Sequence, residues 1–88
     1  MLTAKLVTYN AGYDWQREYV KTNLQLGKKY TVREMIVYSS SSKVYLEGFE
    51  ESFNSVFFDF YLDGKYIDFD DLIRKKDKPE CIQLMYWL

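Results

Sequence analysis

The most restrictive feature of this sequence is the segment from Asn54 to Leu62, in which hydrophobic side chains alternate and a turn dipeptide follows. Strict alternation is typical of a β-strand with one face on a core. Asp63-Gly64 then predicts a two-residue type I′ hairpin turn, because both central positions of that turn need positive φ. We therefore expect Lys65 to Ile67 to return antiparallel to this strand. One parity of the strand holds Val56, Phe58, Phe60 and Leu62, and the other holds Ser55, Phe57, Asp59 and Tyr61.

Other segments of the chain also have the composition of strands. They are Leu2 to Tyr9, Tyr30 to Tyr38, Lys43 to Glu47 and Ile82 to Leu88. The second of these is long, but its alternation changes phase near Arg33-Glu34, which predicts a β-bulge at that point. The serines at positions 39–42 predict a turn between the second strand and the third.

Two short helices are expected between these strands. A carboxylate at a helix start accepts hydrogen bonds from backbone N–H groups that have no partner within the first turn. Trp15 and Tyr19 are four residues apart, so they share one face of the first helix. The predicted helices are 14–23, capped by Asp14, and 68–76, capped by Asp68 or Asp70.

We expect a single domain over residues 1–88 that is mainly β, a β-dominated α+β fold. A chain of 88 residues is long enough for one domain and too short for two. Aromatic residues make up 19% of it, and each ring buries a large area, which helps a small domain to fold. Closing the sheet would remove edges that apolar strands otherwise expose. The expected architecture is a small SH3-like or OB-like barrel of about five to six strands with two short helices.

Charge and residue usage argue against several classes of function. The chain has 12 basic and 13 acidic residues and a net charge of −1, unlike a strong binder of nucleic-acid backbones. Histidine is absent, so the commonest general base and transition-metal ligand is missing. Cys81 is the single cysteine, which fits a reducing compartment. No signal peptide or apolar run near the ~20 residues of a membrane span is visible, so a cytoplasmic protein without membrane contact is expected.

Four segments carry a resemblance to a known group of proteins. They are residues 12–16 (GYDWQ), 26–32 (LGKKYTV), 41–46 (SSKVYL) and 53–58 (FNSVFF). In this order the segments resemble a group of small uncharacterised bacterial and phage proteins, many of them carried by mobile elements. The resemblance implies a barrel-like fold and an accessory role in a bacterial or phage cytoplasm. It implies no particular activity.

Three aromatic side chains, Tyr45, Phe57 and Tyr61, are candidates for binding a partner. Each is opposite in phase to the hydrophobic residues expected to face the core, so the three share one outer face if their strands pair. Such a face can bind a peptide or stack against bases. The alternative is cross-strand aromatic pairing or cover from a helix, because aromatic pairs stabilise sheets by themselves.

Arg74, Lys75 and Lys76 form the main basic run and are the candidate nucleic-acid-binding residues. Next to an aromatic sheet face, they would make a small nucleic-acid-binding barrel. The alternative is a solvated helix end, where cations complement the helix dipole.

The closest approach to a metal site is the acidic group Asp68, Asp70 and Asp71. Hard cations favour clustered carboxylates, which would be needed for a divalent-metal-dependent hydrolase. This group lacks the spacing and the glycine of a calcium loop, and the helix dipole stabilises carboxylates at a helix start in any case. We therefore predict no metal, no cofactor, no catalytic residue and no enzymatic activity.

The last predicted strand is apolar on both faces. One face should cover the core of the domain. The other face, with Met85 and Trp87, should meet either Trp15 and Tyr19 of the same chain or a second copy of the protein. The first alternative predicts a monomer, and the second predicts a homodimer in which Met85 and Trp87 form the interface.

The leading functional hypothesis is a non-enzymatic protein-interaction module, encoded by a phage or mobile element, whose protein partner is unknown. A nucleic-acid-binding barrel is the main alternative, and its affinity would fall steeply with salt. A metal-dependent hydrolase is the weaker alternative, and a divalent ion that binds only its native state would raise its stability.

Overall fold

The fold is described by a computed structural model over residues 1–37, 42–74 and 85–87. Most of this part of the chain forms short strands, and two helices and a one-turn 3-10 helix lie between them. In chain order the elements are β1 (Leu2–Leu6), α1 (Asp14–Asn23), β2 (Lys29–Val37), β3 (Ser42–Leu46), β4 (Phe53–Asn54), the 3-10 turn (Ser55–Phe57), β5 (Phe58–Leu62), β6 (Lys65–Ile67), α2 (Phe69–Arg74) and β7 (Met85–Trp87).

Six strands form an antiparallel sheet in the order β4-β3-β2-β1-β5-β6. β7 pairs in parallel with the end of β2, from Met35 to Val37. The prediction of a mainly β fold with two short helices is therefore confirmed. Within the described ranges no ladder joins β4 to β5 or β6, so the sheet is not closed into a barrel.

The sheet is nevertheless strongly curled. β3, β2 and β1 lie between β4 and β5 in the sheet order, yet only the three residues of the 3-10 turn connect these two strands along the chain. The rings of Phe53 in β4 and Phe58 in β5 are 6.3 Å apart. β4, at one end of the sheet, thus approaches β5, near the other end, around a common core.

The predicted bulge in β2 is confirmed. The register between β2 and β3 shifts between Val32 and Glu34, which leaves Arg33 as the extra residue. A bulge bends its strand and increases the local twist. This bend falls where β2 stops pairing with β1 and begins to pair with β3, and it contributes to the curl of the sheet.

The core lies on the concave side of the sheet, and both helices close it. Alternating residues of β1 to β5 point inward, and each helix adds leucine or valine side chains. The buried hydrophobic residues are Leu2, Ala4, Leu6, Val20, Leu24, Val32, Met35, Val37, Val44, Leu46, Phe53, Phe57, Phe58, Phe60 and Leu72.

The strand expected from Asn54 to Leu62 is interrupted, and the phase expected for its first half is wrong. The 3-10 turn occupies Ser55–Phe57. Val56 is 54% exposed, whereas Phe57 is fully buried. The cause is local: the Asn54 side chain accepts a hydrogen bond from the Val56 backbone N–H at 3.1 Å. Such a side-chain bond offers the backbone an alternative to the strand ladder.

The hairpin after β5 is confirmed at both turn positions. Asp63 has φ of 53° and Gly64 has φ of 85°, as a type I′ turn requires. Tyr61 then faces Tyr66 across the β5–β6 ladder, so β6 returns antiparallel as expected.

The first helix has the predicted length but a different cap. Asp14 lies inside the first turn, where it pairs with Arg17. The cap is supplied from inside the helix, because the Gln16 side chain accepts a hydrogen bond from the Tyr13 backbone N–H at 2.9 Å. No helix in the described part of the chain has the length and apolar character needed to cross a membrane.

Candidate functional site

The structure does not assemble the outer aromatic face that the sequence predicts. Phe57 lies in the core, so its assignment to that face is wrong. Tyr45 and Tyr61 do lie half-buried on the outer side of the sheet. Their strands do not pair, however, because β2 and β1 lie between β3 and β5. The two tyrosines therefore lie apart and do not form one continuous surface.

Each of these tyrosines is covered by a cation of the protein itself. The guanidinium of Arg33 lies 5.0 Å from the ring centre of Tyr45. The ammonium of Lys29 lies 4.1 Å from the ring centre of Tyr61. Cation–π contacts of this kind stabilise a partly exposed ring. The structural interpretation, in which these rings support the sheet, accounts for both residues.

The other predicted site residues fall at the edge of the described structure. Arg74 ends α2, but its side chain lies outside the described part, as do Lys75 and Lys76. Met85 and Trp87 belong to β7, whose backbone is placed beside β2, and their side chains are likewise outside it. The nucleic-acid-binding run and the interface pair remain predictions.

A cleft that the sequence analysis did not anticipate lies between α1, the start of β3, β4 and the 3-10 turn. Its volume is about 100 Å³. The lining comes from α1, from Phe53 and Asn54 of β4, and from the buried Phe57 of the 3-10 turn. Ser42 and Lys43 contribute the side of the cleft that belongs to β3.

Aromatic rings provide most of the apolar surface of this cleft. Tyr19 stacks on Phe53, with ring centroids 5.0 Å apart and planes at 24°. Trp15 stands one turn earlier on α1 and is 69% exposed. A large exposed apolar side chain beside a concave apolar surface is typical of a binding site.

Gln16 holds the two walls of the cleft together. Its side-chain oxygen accepts one hydrogen bond from the Tyr13 backbone N–H at 2.9 Å and one from the Asn54 side-chain amide at 3.4 Å. The start of α1 is thereby tied to the end of β4. The backbone of Gly12 lies close to this oxygen. Gly12 has φ of +66°, and a Cβ added there would come within 2.2 Å of the Gln16 oxygen.

The charges around the cleft are unevenly distributed. Burial and, second, the negative charge of Glu51 raise the pKa of the Tyr19 hydroxyl, so this hydroxyl stays neutral at ordinary pH. Glu18 is exposed on α1, three residues after Trp15, and side chains at this spacing are neighbours on a helix surface. Lys43, on the β3 side, carries the opposite charge.

The described carboxylates do not gather into a metal site. In the ranges that the structure covers, no group of three or more His, Cys, Asp or Glu side chains is placed to hold a metal ion. Near the start of α2, Asp68 accepts a hydrogen bond from the Tyr66 hydroxyl at 3.3 Å. The arrangement of these carboxylates gives no support to the hydrolase hypothesis.

Comparison with protein families gives one decisive result. Residues 1–84 match the family described as Bacteriophage T4 protein Y07B. The chain belongs to this family. The expectation of a small phage-type family is thereby confirmed in its general form. Comparison with curated proteins and with solved structures gives no match.

Three of the four segments that carry the phage resemblance meet at the cleft of this Y07B family member. The segment 12–16 contributes Trp15 and Gln16, and the segment 41–46 contributes Ser42 and Lys43. The segment 53–58 contributes two phenylalanines and an asparagine. Sequence reasoning had placed Trp15 and Tyr19 on one helix face. It missed the cleft, because nothing in the local pattern indicates that α1 crosses β4. One local signal is present in the sequence: Gln16 lies three residues after Tyr13, which is the spacing of a capping box. This spacing indicates where α1 starts, and the same Gln16 oxygen contacts Asn54 of β4.

Proposed function

We propose that this phage protein is a non-enzymatic accessory module that binds another protein through the cleft beside Trp15. The observation that carries the proposal is the exposure of Trp15, 69%, next to an apolar concave surface. Exposing an indole in water is unfavourable, and tryptophan is among the residues that contribute most to protein–protein binding. The cleft would accept an apolar side chain of the partner, and Trp15 would pack against it.

The size of the cleft supports a protein partner over a free small molecule. Its volume of about 100 Å³ is well below the roughly 300–1,000 Å³ of typical ligand pockets. A space of this size suits one inserted side chain. Ser42 and Asn54 supply polar groups to the lining. The Asn54 side chain is already bonded to Gln16 and Val56, so the partner is expected to bind chiefly through its apolar side chain.

Strand order supports an SH3-like arrangement as the finer description of the fold. The order β4-β3-β2-β1-β5, with a one-turn 3-10 helix between β4 and β5, fits a five-strand SH3-like barrel better than an OB-like one. The curl that brings Phe53 near Phe58 is consistent with it. The single cysteine fits the cytoplasmic location that we propose for the protein.

A random peptide library displayed on particles tests the proposed function directly. Selection on the immobilised wild-type protein should enrich peptides that share one apolar position, and selection on Trp15→Ala should not. Tyr66→Ala is the matched control, because Tyr66 is also an exposed aromatic residue, at 58%, but lies on the outer face. Absence of enrichment on the wild type, or equal enrichment on Trp15→Ala, would contradict the proposal.

Nucleic-acid binding is the second candidate, because lysines and tyrosines lie together on the outer face of the sheet. Lys5 pairs across the ladder with Lys29, and Tyr61 and Tyr66 lie on the same face and stack edge to face at 5.9 Å. Cations and aromatic rings together can bind a single strand. Asp59 lies opposite Lys5 in the β1–β5 ladder, and its negative charge weakens the local positive charge. Binding to a labelled oligonucleotide that falls steeply as salt rises would favour this candidate.

A further inference from the structure

We propose that the partner segment carries an arginine or lysine next to its apolar side chain, and that Glu18 and Glu51 recognise this cation over the Trp15 ring. This inference rests on the proposed function and specifies the chemistry of the partner. It follows from the charges and aromatic faces at one end of the cleft.

Two exposed carboxylates lie near the aromatic rings of α1 and β4. Glu51 precedes Phe53 by two residues, and the Phe53 ring stacks on Tyr19. The effect of the Glu51 charge on the pKa of Tyr19 is consistent with their proximity. Glu18 is adjacent to Tyr19 in sequence and lies one turn beyond Trp15 on α1. Both glutamates are exposed, so a cation from a partner can approach them.

Three half-buried tyrosines are covered by a cation of the chain, whereas Trp15, like the exposed rings of Tyr13 and Tyr66, has none among the described residues. Tyr30, Tyr45 and Tyr61 are covered by Lys28, Arg33 and Lys29, at 5.3, 5.0 and 4.1 Å from the ring centres. Within the described residues, no cation of the chain lies over Trp15. Tryptophan is the side chain whose face attracts cations most strongly, so this ring offers a binding face that no cation among the described residues occupies.

The β3 side of the cleft limits where the cation can bind. Lys43 lies on that side and is engaged within the protein, and an ammonium group offers no acceptor to a second cation. The expected segment lies with its apolar side chain in the cleft and its cation toward α1 and Glu51, which fixes its direction along the cleft.

A peptide library with a fixed apolar central residue tests the preference for a flanking cation separately from the binding of the apolar side chain. The centre is held as leucine or phenylalanine, and the flanking positions are randomised. Arginine or lysine should be enriched at an adjacent position on the wild-type protein. The variant E18Q/E51Q should weaken that enrichment and keep the apolar centre. Glu47→Gln is the control, because Glu47 directly follows the end of β3 farthest from Ser42 and Lys43.

The outcome of selection can be checked with one pair of peptides that differ only in arginine or glutamine beside the centre. The arginine peptide should bind the wild type about fivefold more tightly, as a cation–π contact and an exposed ion pair together allow. The ratio should fall to about twofold on E18Q/E51Q, because the cation–π contact with Trp15 remains. A selected apolar centre with no flanking cation, or with acidic flanks, would overturn this inference and leave the proposed function standing. No enrichment of any kind would overturn both.

Discussion

Gly12 and Gln16 show how a single side-chain oxygen can organise a site. Two donors from different segments, Tyr13 and Asn54, reach that oxygen, and the absence of a Cβ at position 12 leaves room for it. The orientation of α1 over β4 therefore depends on one residue without a side chain. Trp15 and Tyr19 take their positions from the same helix.

Substitution of Gly12 by alanine should cost more stability than the same substitution at Gly27. Both glycines have positive φ, 66° and 85°, but no atom lies within 4 Å of the Cβ position at Gly27. Backbone strain should destabilise each variant by about 1 kcal/mol. Displacement of the Gln16 oxygen should add about 1 kcal/mol for Gly12→Ala alone. Urea unfolding measures both, and equal losses would show that the Gln16 contacts do not contribute.

Tyr19 should make stability depend on pH in the alkaline range. Its pKa is raised above 10.0 in the folded protein, first by burial and then by Glu51. The unfolded chain therefore loses this proton first, so the contribution of Tyr19 is complete below pH 10 and is lost as the pH rises through the folded pKa. Wild type and Tyr19→Phe should be compared by unfolding at pH ~8 and pH ~11. The stability of wild type relative to Tyr19→Phe should decrease at the higher pH, and a constant difference would contradict the prediction.

At the scale of elements, the 3-10 turn between β4 and β5 is the feature that determines the base of the cleft. It turns Phe57 into the core and Val56 into solvent. The Asn54 side chain accepts from Val56 N–H and donates to Gln16. One asparagine thus connects the turn to α1.

Replacing Asn54 by alanine should destabilise the protein by about 1–2 kcal/mol, since a capping acceptor and a second hydrogen bond are both lost. Asn54→Asp separates the two roles, because aspartate keeps the acceptor for Val56 and loses the donor for Gln16. We expect an intermediate loss for Asn54→Asp in thermal unfolding. A loss equal to that of alanine would mean that the bond to Val56 contributes little.

The same turn shows where prediction from sequence succeeds and where it stops. Alternation located β1 and β5, the change of phase located the bulge at Arg33, and Asp63-Gly64 located the hairpin, because each depends on neighbouring residues. The turn at Ser55–Phe57 escaped prediction, since a side-chain hydrogen bond overrode an unbroken alternation. The cleft could not be predicted, because it requires α1 to pack on β4 across residues distant in sequence.

At the scale of the whole molecule, β7 extends the sheet along the end of β2, beyond the part that β1 covers. Removing residues 85–88 would leave that edge of β2 unpaired. An unpaired apolar edge promotes association between chains, so the truncated protein should unfold or aggregate. Circular dichroism and light scattering measure these outcomes. A truncated protein that stays folded and monomeric would show that β7 is dispensable.

The oligomeric state tests the predicted role of Met85 and Trp87. If Trp87 lies in a homodimer interface, Trp87→Lys should convert a dimer into a folded monomer in sedimentation at micromolar concentration. If the residue is covered within the chain, the wild type should already be monomeric. The second result would exclude the dimer.

The position of β1 in the sheet also determines when the protein can fold during its synthesis. β1 lies between β2 and β5, and Leu2 pairs with Leu62. Among the strands that the structure describes, β1 is made first, so it has one partner early, while its other edge stays open until β5 has left the exit tunnel. Open edges invite wrong pairing, and distant contacts form slowly. We expect nascent chains to resist protease only after the segment ending at Asp63-Gly64 has emerged.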